Sequence, residues 1–411
     1  MRNFAAVFSL KAVSRRTTIA ASLKGKLPVY IYSGSLHVEL HTTTEYKKDR
    51  KLSNIDQVNT KGNVPSLSVS SGRKEHYGAL DGLRAYGVIG IVMMHVLTDI
   101  HTKPADNFFT TAVIPFFTNF VFLFMMISAF GLSCGYYERI KANRITPNAF
   151  YMKRYKRVLP FFAIMVLIDM AWKHDVGALL EGFADITLCF GLYPNVKIGV
   201  IGVGWFLGTV FVFYMLYPFF VFLIDNRRRA WGTLVVSVLL ALIGIYYFGS
   251  KQYFQQPTDF ERTDILYSAP YFVTGGIVYL YRHQLSAWVS AHRLLVLAIA
   301  CAITAVTFML LEKTTELMTC IIIFSVWLIY SLGSNDVVLN NKAVKYLSNI
   351  SMEIYLCHML LFRVVGLMHI EKLIANPNLL YVVTLLATLI GAIVFAHVVK
   401  FQVINKIKRL Q

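Results

Sequence analysis

Three ionisable residues lie in one apolar stretch, ALDGLRAYGVIGIVMMHV, as Asp81, Arg84 and His95. In a helix, Arg84 and His95 are three turns apart, roughly 16 Å along the axis, and Asp81 is about 60° from Arg84 around it. All three side chains therefore share one narrow stripe. Ionisable groups inside an apolar segment indicate function, and an imidazole can accept a proton near neutral pH. The structural alternative is an ion pair of Asp81 with Arg84, and a His95 that bonds a neighbouring carbonyl.

A second polar helix is predicted at 347–367, LSNISMEIYLCHMLLFRVVGL. Helical spacing puts Ser351, Tyr355 and His358 on one face and Glu353 on another. Glu353 and His358 are candidates for proton transfer or for hydrogen bonding to a substrate. Polar side chains of this kind also hold membrane helices together, so a structural role is the alternative.

A basic pair, Arg154 and Arg157, lies in YMKRYKRVLP. The spacing places both guanidinium groups on one face of a helix that enters an apolar segment, where they could bind phosphate groups bidentately. Loops beside membrane spans collect basic residues for topological reasons alone, which is the alternative interpretation.

The elements that must position these residues are apolar segments from Ala79 onward, each long enough, or nearly so, to cross about 30 Å of hydrocarbon. The predicted segments are 79–98, 111–133, 157–172, 201–224, 231–249, 264–281, 294–311, 317–333, 347–369 and 379–400. Backbone polar groups in lipid must be satisfied within each segment. The sequence therefore predicts an all-α integral membrane protein, a bundle of about ten transmembrane helices.

Composition supports this class. Of the 411 residues, 56% are hydrophobic and 15% are charged, against about 25% charged in a typical soluble domain. The net charge of +18 is concentrated in the N-terminal region and at the ends of the apolar segments. This is the positive-inside pattern, so we expect an N-in/C-in orientation and no nucleic-acid partner. The five cysteines show no metal-ligand spacing, and no metal site is predicted.

Three regions follow along the chain. Residues 1–75 form a polar, basic N-terminal tail that we expect to be disordered; a transit peptide or a twin-arginine signal at Arg15 and Arg16 is the functional alternative. Residues 76–403 form the transmembrane domain. Residues 404–411 form a short basic tail on the cytosolic side.

Six sequence blocks occur in order along residues 76–400. They are LDGLRAYGVIGIVMMH, FMMISAFGLS, YMKRYKRVLPFF, GWFLGTVFVFYMLYP, APYFVTGGIVYL and LSNISMEIYLCHMLLF. With them the chain resembles the acyltransferase family 3 membrane proteins, which modify exported polysaccharides and other envelope molecules. Arg84 and His95 match the R-x(10)-H motif of that family, and Arg154 and Arg157 match its R-x-x-R motif.

The resemblance implies a membrane-bound O-acetyltransferase-like enzyme. Its donor would be cytosolic acyl-CoA, commonly acetyl-CoA, and its acceptor a hydroxyl of an envelope or exported carbohydrate or of a lipid-linked glycan. It also implies a multi-pass protein of the bacterial inner membrane, surrounded by membrane lipid. The CoA phosphates would bind Arg154 and Arg157, with Arg84 contributing at the mouth of the site.

The resemblance also suggests roles for the buried polar residues. His95 would remove a proton from the acceptor hydroxyl or carry the acyl group itself. Asp81 would orient Arg84 through a charge-assisted hydrogen bond. Glu353 or His358 would hold the acceptor or assist proton transfer.

Two other protein classes fit the same residues. One is a secondary transporter or exporter with His95 and Glu353 as a proton relay, and the other is a non-catalytic membrane partner in an envelope assembly. The chain departs from the usual family pattern at Ala129 and Met352. Some family members carry a fused SGNH hydrolase-like domain and this sequence shows none, so we expect the membrane domain or a separate periplasmic transferase to complete any transfer outside the cell.

Overall fold

A computed structural model describes residues 30–32, 35–37, 77–173, 175–192, 201–248, 262–310 and 316–406. The chain divides into two compact units, residues 1–72 and 73–411. In the first, strands β1 (Tyr30–Tyr32) and β2 (Ser35–His37) pair antiparallel, with Tyr30 opposite His37. The rest of the predicted 1–75 tail and the end of the predicted 404–411 tail lie outside the described residues.

The described part of the second unit is helical and contains thirteen α-helices of eight or more residues. They are α1 (Ala79–Asp99), α2 (Phe120–Leu132), α3 (Pro147–Lys173), α4 (Val176–Ile186), α5 (Trp205–Leu223), α6 (Arg227–Ile243), α7 (Ile265–Leu280), α8 (Arg282–Ala291), α9 (Arg293–Leu310), α10 (Glu316–Gly333), α11 (Lys342–Asn349), α12 (Ser351–Gly366) and α13 (Pro377–His397). Short α, 3₁₀ and π turns lengthen several of them.

Six helical stretches within the described ranges are long and apolar enough to cross a membrane. They are Ala79–Asp99, Phe109–Lys141, Gly202–Leu223, Arg227–Phe248, Glu316–Gly333 and Pro377–Ile404. A seventh would be α8 with α9, which meet at a bend of 102°. The chain is therefore a multi-pass membrane protein.

The predicted count of ten spans is not confirmed, and the N-in/C-in orientation stays a prediction. Helices do occupy the other predicted positions, but they differ from the six in length or charge. The first half of α3 carries the basic run YMKRYKR, α7 has only 16 residues, and the predicted segment 347–369 is divided at Ile350 into α11 and α12.

The central helix of the second unit is α1, which packs against α2, α10, α11, α12 and α13. Its small and apolar residues are mostly buried. The two ends of this helix contact different neighbours. At one end, Ser348 of α11 donates a hydrogen bond to Asp81. At the other end, the hydroxyl of Tyr381 in α13 donates to the carbonyl of Met93. We call these the Arg84 end and the Asp99 end of the bundle.

Close packing of α7 against α2 depends on a glycine. A Cβ atom placed on Gly275 would overlap the carbonyl oxygen of Met126 and lie 2.9 Å from the Cβ of Ala129. Small residues let membrane helices approach closely, and their van der Waals contact stabilises the pair. Ala129, one of the two departures from the family pattern, lies at this contact.

We expect Gly275→Ala to destabilise the protein by about 1–3 kcal/mol, because the added methyl group forces α7 away from the backbone of α2. The measurement is unfolding by heat or by sodium dodecyl sulfate in detergent micelles. Gly232→Ala is the matched control, because no atom lies within 4 Å of a Cβ placed there. Equal stability of the two variants would contradict the packing role of Gly275.

Candidate active site

A cavity of about 960 Å³ opens at the Arg84 end of the bundle, between α1, α2, α3, α5, α11 and α12. Among the described residues, six cations and two carboxylates line it. The cations are Arg84, Lys153, Lys156, Arg157, Lys345 and Lys400, and the carboxylates are Asp81 and Glu353. The lining is therefore strongly positive in net charge.

The lining changes from charged to apolar with depth. On α5 it runs from Tyr214 through Val210 to Phe206, a rise of about 12 Å along the helix axis. Phe124 of α2 and Val158 of α3 add to the apolar part of the lining. The cavity thus suits a molecule with an anionic end at the mouth and an apolar end inside.

Asp81 and Arg84 lie together at this cavity, as their i, i+3 spacing on α1 predicts. Arg84 Nη1 is 3.5 Å from Asp81 Oδ1, and the same oxygen accepts a hydrogen bond of 2.7 Å from Ser348. About a third of the Arg84 side chain is exposed. Asp81 and Ser348 together restrict where this guanidinium can point.

The predicted pair Arg154 and Arg157 is divided between two environments. Arg157 lines the cavity, together with Lys153 and Lys156 of the same helix. Arg154 is not among the lining residues; its Nη2 donates a hydrogen bond of 2.6 Å to the hydroxyl of Tyr136, and its guanidinium lies 4.8 Å from the centre of that ring. Structure therefore favours Arg157 over Arg154 as the ligand-binding member.

Glu353 lies at the wall of the cavity with a partner that the sequence analysis missed. Its Oε1 is 2.8 Å from Nζ of Lys400, and Lys400 also donates to the carbonyl of Asn349. The glutamate is only 5% exposed, and its Oε2 has no hydrogen-bond partner among the described residues. Lys400 lies beyond the end of α13, far from Glu353 in sequence, so no local pattern paired the two.

His95 and His358, predicted separately, form a pair. Their ring centres are 5.1 Å apart. His358 is fully buried, and its Nδ1 lies 2.7 Å from the carbonyl of Tyr355. A carbonyl only accepts, so Nδ1 donates and Nε2 carries the lone pair; within the described part of the chain, Nε2 has no partner. On the other side, His95 Nδ1 is 3.9 Å from Asp99.

Two aromatic residues separate the cavity from the histidine pair. Tyr355 and Phe206 line the inner end of the cavity, whereas neither histidine is a lining residue. The rings of Phe206 and Tyr355 meet edge to face with centres 5.8 Å apart, and the ring of Tyr355 is 6.0 Å from that of His358. The Tyr355 hydroxyl donates a hydrogen bond of 2.6 Å to the carbonyl of Val203. We call Phe206 and Tyr355 the aromatic wall.

A further group of charges, in which Asp169 and Asp185 are buried, lies near the Asp99 end. Arg363 of α12 is 2.6 Å from Asp169 of α3, and Lys173 is 3.4 Å from the same carboxylate. On α4, which is too short to span a membrane, burial raises the pKa of Asp185 to about 7, and the nearby Glu181 acts in the same direction. Sequence analysis did not single out these carboxylates.

The pairing of Glu353 with Lys400 can be tested by comparing the stability of single and double variants. Lys400→Met leaves a buried carboxylate without its cation, which costs about 3–5 kcal/mol. We expect the double variant Lys400→Met with Glu353→Gln to recover much of that loss, because the uncompensated charge is removed. Thermal unfolding in detergent micelles measures both. The control is Lys345→Met, which removes an exposed cation of the same cavity and should change stability little. An equal loss of stability in Lys345→Met would refute the pairing of Glu353 with Lys400.

Comparison with known proteins agrees with the six sequence blocks. A family model described as an acyltransferase domain, that of acyltransferase family 3, matches residues 77–397. The match covers most of the chain, including both histidines and all the lining residues of the cavity except Lys400. No curated protein and no solved structure matches the chain. From this match, the chain belongs to the acyltransferase 3 family.

Proposed function

We propose that this acyltransferase moves an acyl group, most readily acetyl, from acyl-CoA to a hydroxyl of an envelope or exported carbohydrate. The observation that carries the proposal is the cavity with a cationic mouth and an apolar inner end, next to the pair of His95 and the buried His358. In the predicted N-in orientation, the mouth faces the cytosol, where acyl-CoA is found.

The charge pattern of the cavity supports acyl-CoA as the donor. CoA carries its phosphate groups at one end and its thioester at the other. Phosphates at the mouth would meet Arg84, Arg157 and the lysines of α3, and guanidinium groups bind phosphate through paired hydrogen bonds. The acyl thioester would then lie in the inner, apolar part, where water is scarce.

The proposed reaction is a single acyl transfer assisted by His95. One ring nitrogen of His95 takes the proton from the acceptor hydroxyl while its oxygen attacks the thioester carbonyl carbon. The C–S bond breaks, the ester forms, and the CoA thiolate takes the proton back from His95. Proton transfer by a positioned side chain accelerates such steps by roughly 10²–10⁴-fold. The alternative, an acyl-histidine intermediate, uses the same residue.

The other polar groups of the site have supporting roles in this proposal. Asp81 orients Arg84 at the mouth of the cavity, and Glu353 holds Lys400 at the cavity lining. His358 is close enough to exchange a proton with His95 through the acceptor or a water molecule. The aromatic wall stands between the cavity and this pair, so in this proposal the acceptor hydroxyl bridges the thioester in the cavity and His95.

We expect His95→Ala to reduce acyl transfer by at least about 100-fold, since the general base is lost. The assay uses purified protein in nanodiscs with radiolabelled acetyl-CoA and follows CoA release and label transfer to a polysaccharide pool. His101→Ala, an exposed histidine just beyond α1, is the control. Near-normal transfer by a folded His95→Ala protein would disprove the assignment.

Substitution of the basic pair distinguishes donor binding from topology. Arg157→Ala should raise the KM for acetyl-CoA by roughly tenfold, the loss of one charged hydrogen bond, with little change in kcat. Arg154→Ala should raise the KM less, because that guanidinium is engaged by Tyr136. Steady-state kinetics over a range of acetyl-CoA concentrations measures both. A larger effect of Arg154→Ala would reverse the order that the geometry suggests.

The proton-coupled transporter remains the alternative class. Its relay would join His95 to Glu353, but in the structure these residues have different partners, His358 and Lys400. This arrangement favours the acyltransferase. Substrate flux driven by a pH gradient, without dependence on acyl-CoA, would support the transporter instead.

A further inference from the structure

We infer that the aromatic wall, Phe206 and Tyr355, sets the length of the acyl group that the protein accepts. The inference rests on the proposed function, because it assigns the inner end of the same cavity. It follows from the position of the wall, from how firmly its two rings are held, and from the apolar lining before it.

The wall lies at a fixed depth from the cationic mouth. Phe206 and Tyr355 are the innermost lining residues of α5 and α12, and Phe206 lies about 12 Å along α5 from Tyr214. When phosphates bind the cations, the cavity length left for the rest of the donor is therefore fixed as well. A longer acyl chain cannot keep the phosphate contacts and also fit in front of the wall.

Both rings of the wall are held in place. The exposed fraction is 8% for Phe206 and 6% for Tyr355. The Tyr355 hydroxyl is bonded to the Val203 carbonyl, in the turn directly before α5, and Phe206 also contacts the ring of Trp205. Burial, ring contacts and this hydrogen bond resist displacement of the wall by a longer chain.

The groups around the inner end are apolar. Phe124, Val158, Leu207 and Val210 line the cavity there, so the part of the donor that reaches this depth is itself apolar. An acyl chain meets this requirement. In a hydrophobic pocket, one methylene group more or less changes discrimination by roughly 10–200-fold, so a closed wall selects short acyl groups such as acetyl and propionyl over hexanoyl.

The test measures kcat/KM for acetyl-, propionyl- and hexanoyl-CoA in nanodiscs. We expect Phe206→Ala to raise the hexanoyl-to-acetyl ratio by at least about tenfold, because removal of the ring deepens the cavity. Phe206→Trp should lower the propionyl-to-acetyl ratio, because the larger ring shortens it. A general loss of activity would not change the two ratios in opposite directions. Opposite changes therefore indicate that residue 206 selects the length of the acyl group.

Phe213→Ala is the matched control. Phe213 lies on the same helix and is also 8% exposed, but it stacks on Phe272 and is not a lining residue of the cavity. We expect both acyl ratios to stay at the wild-type values in this variant. Thermal unfolding of each variant confirms that the ratios come from folded protein, and Phe206→Leu replaces Phe206→Ala if the alanine variant does not fold.

The possible failures are distinguishable. Ratios within about twofold of wild type in the folded alanine or leucine variant and in Phe206→Trp, with acetyl transfer retained, would overturn the role of the wall and leave the proposed function standing. No turnover of any acyl-CoA by the wild-type protein would overturn the proposed function itself.

Discussion

The structure depends above all on the cost of placing charge inside an apolar bundle. A charged side chain at membrane depth is expensive unless it has a partner or faces water. The buried carboxylate of Glu353 is paired with Lys400 and that of Asp169 with Arg363, and five further cations, Arg84, Lys153, Lys156, Arg157 and Lys345, face one cavity. The position of that cavity thus follows from where charge can be tolerated.

The second feature is the separation of two chemical environments by one layer of side chains. On one side of the aromatic wall is a cationic, water-accessible cavity, and on the other is a histidine pair of which His358 is fully buried. A water-poor site strengthens electrostatic interactions and limits hydrolysis of a reactive thioester. In the proposed function, the apolar inner end of the cavity and the wall behind it keep the thioester away from bulk water.

Local sequence pattern was sufficient for much of the fold. Within the described residues, each predicted apolar segment is helical over most of its length, because hydrophobic runs in lipid must satisfy their own backbone. The number of spans was harder to predict, since apolar length alone does not tell a spanning helix from a short or broken one. The segment 347–369 is continuous in hydropathy, yet it divides at Ile350.

By itself, the sequence determined the family and the contacts that lie within one helix. Asp81 and Arg84 meet because they are three residues apart on α1. Only the tertiary structure decided the contacts between helices: His95 with His358, Glu353 with Lys400, and Arg157 rather than Arg154 at the cavity. Helical spacing gives the face on which a side chain lies, but the neighbour at that face depends on how separate helices pack, which no local pattern encodes.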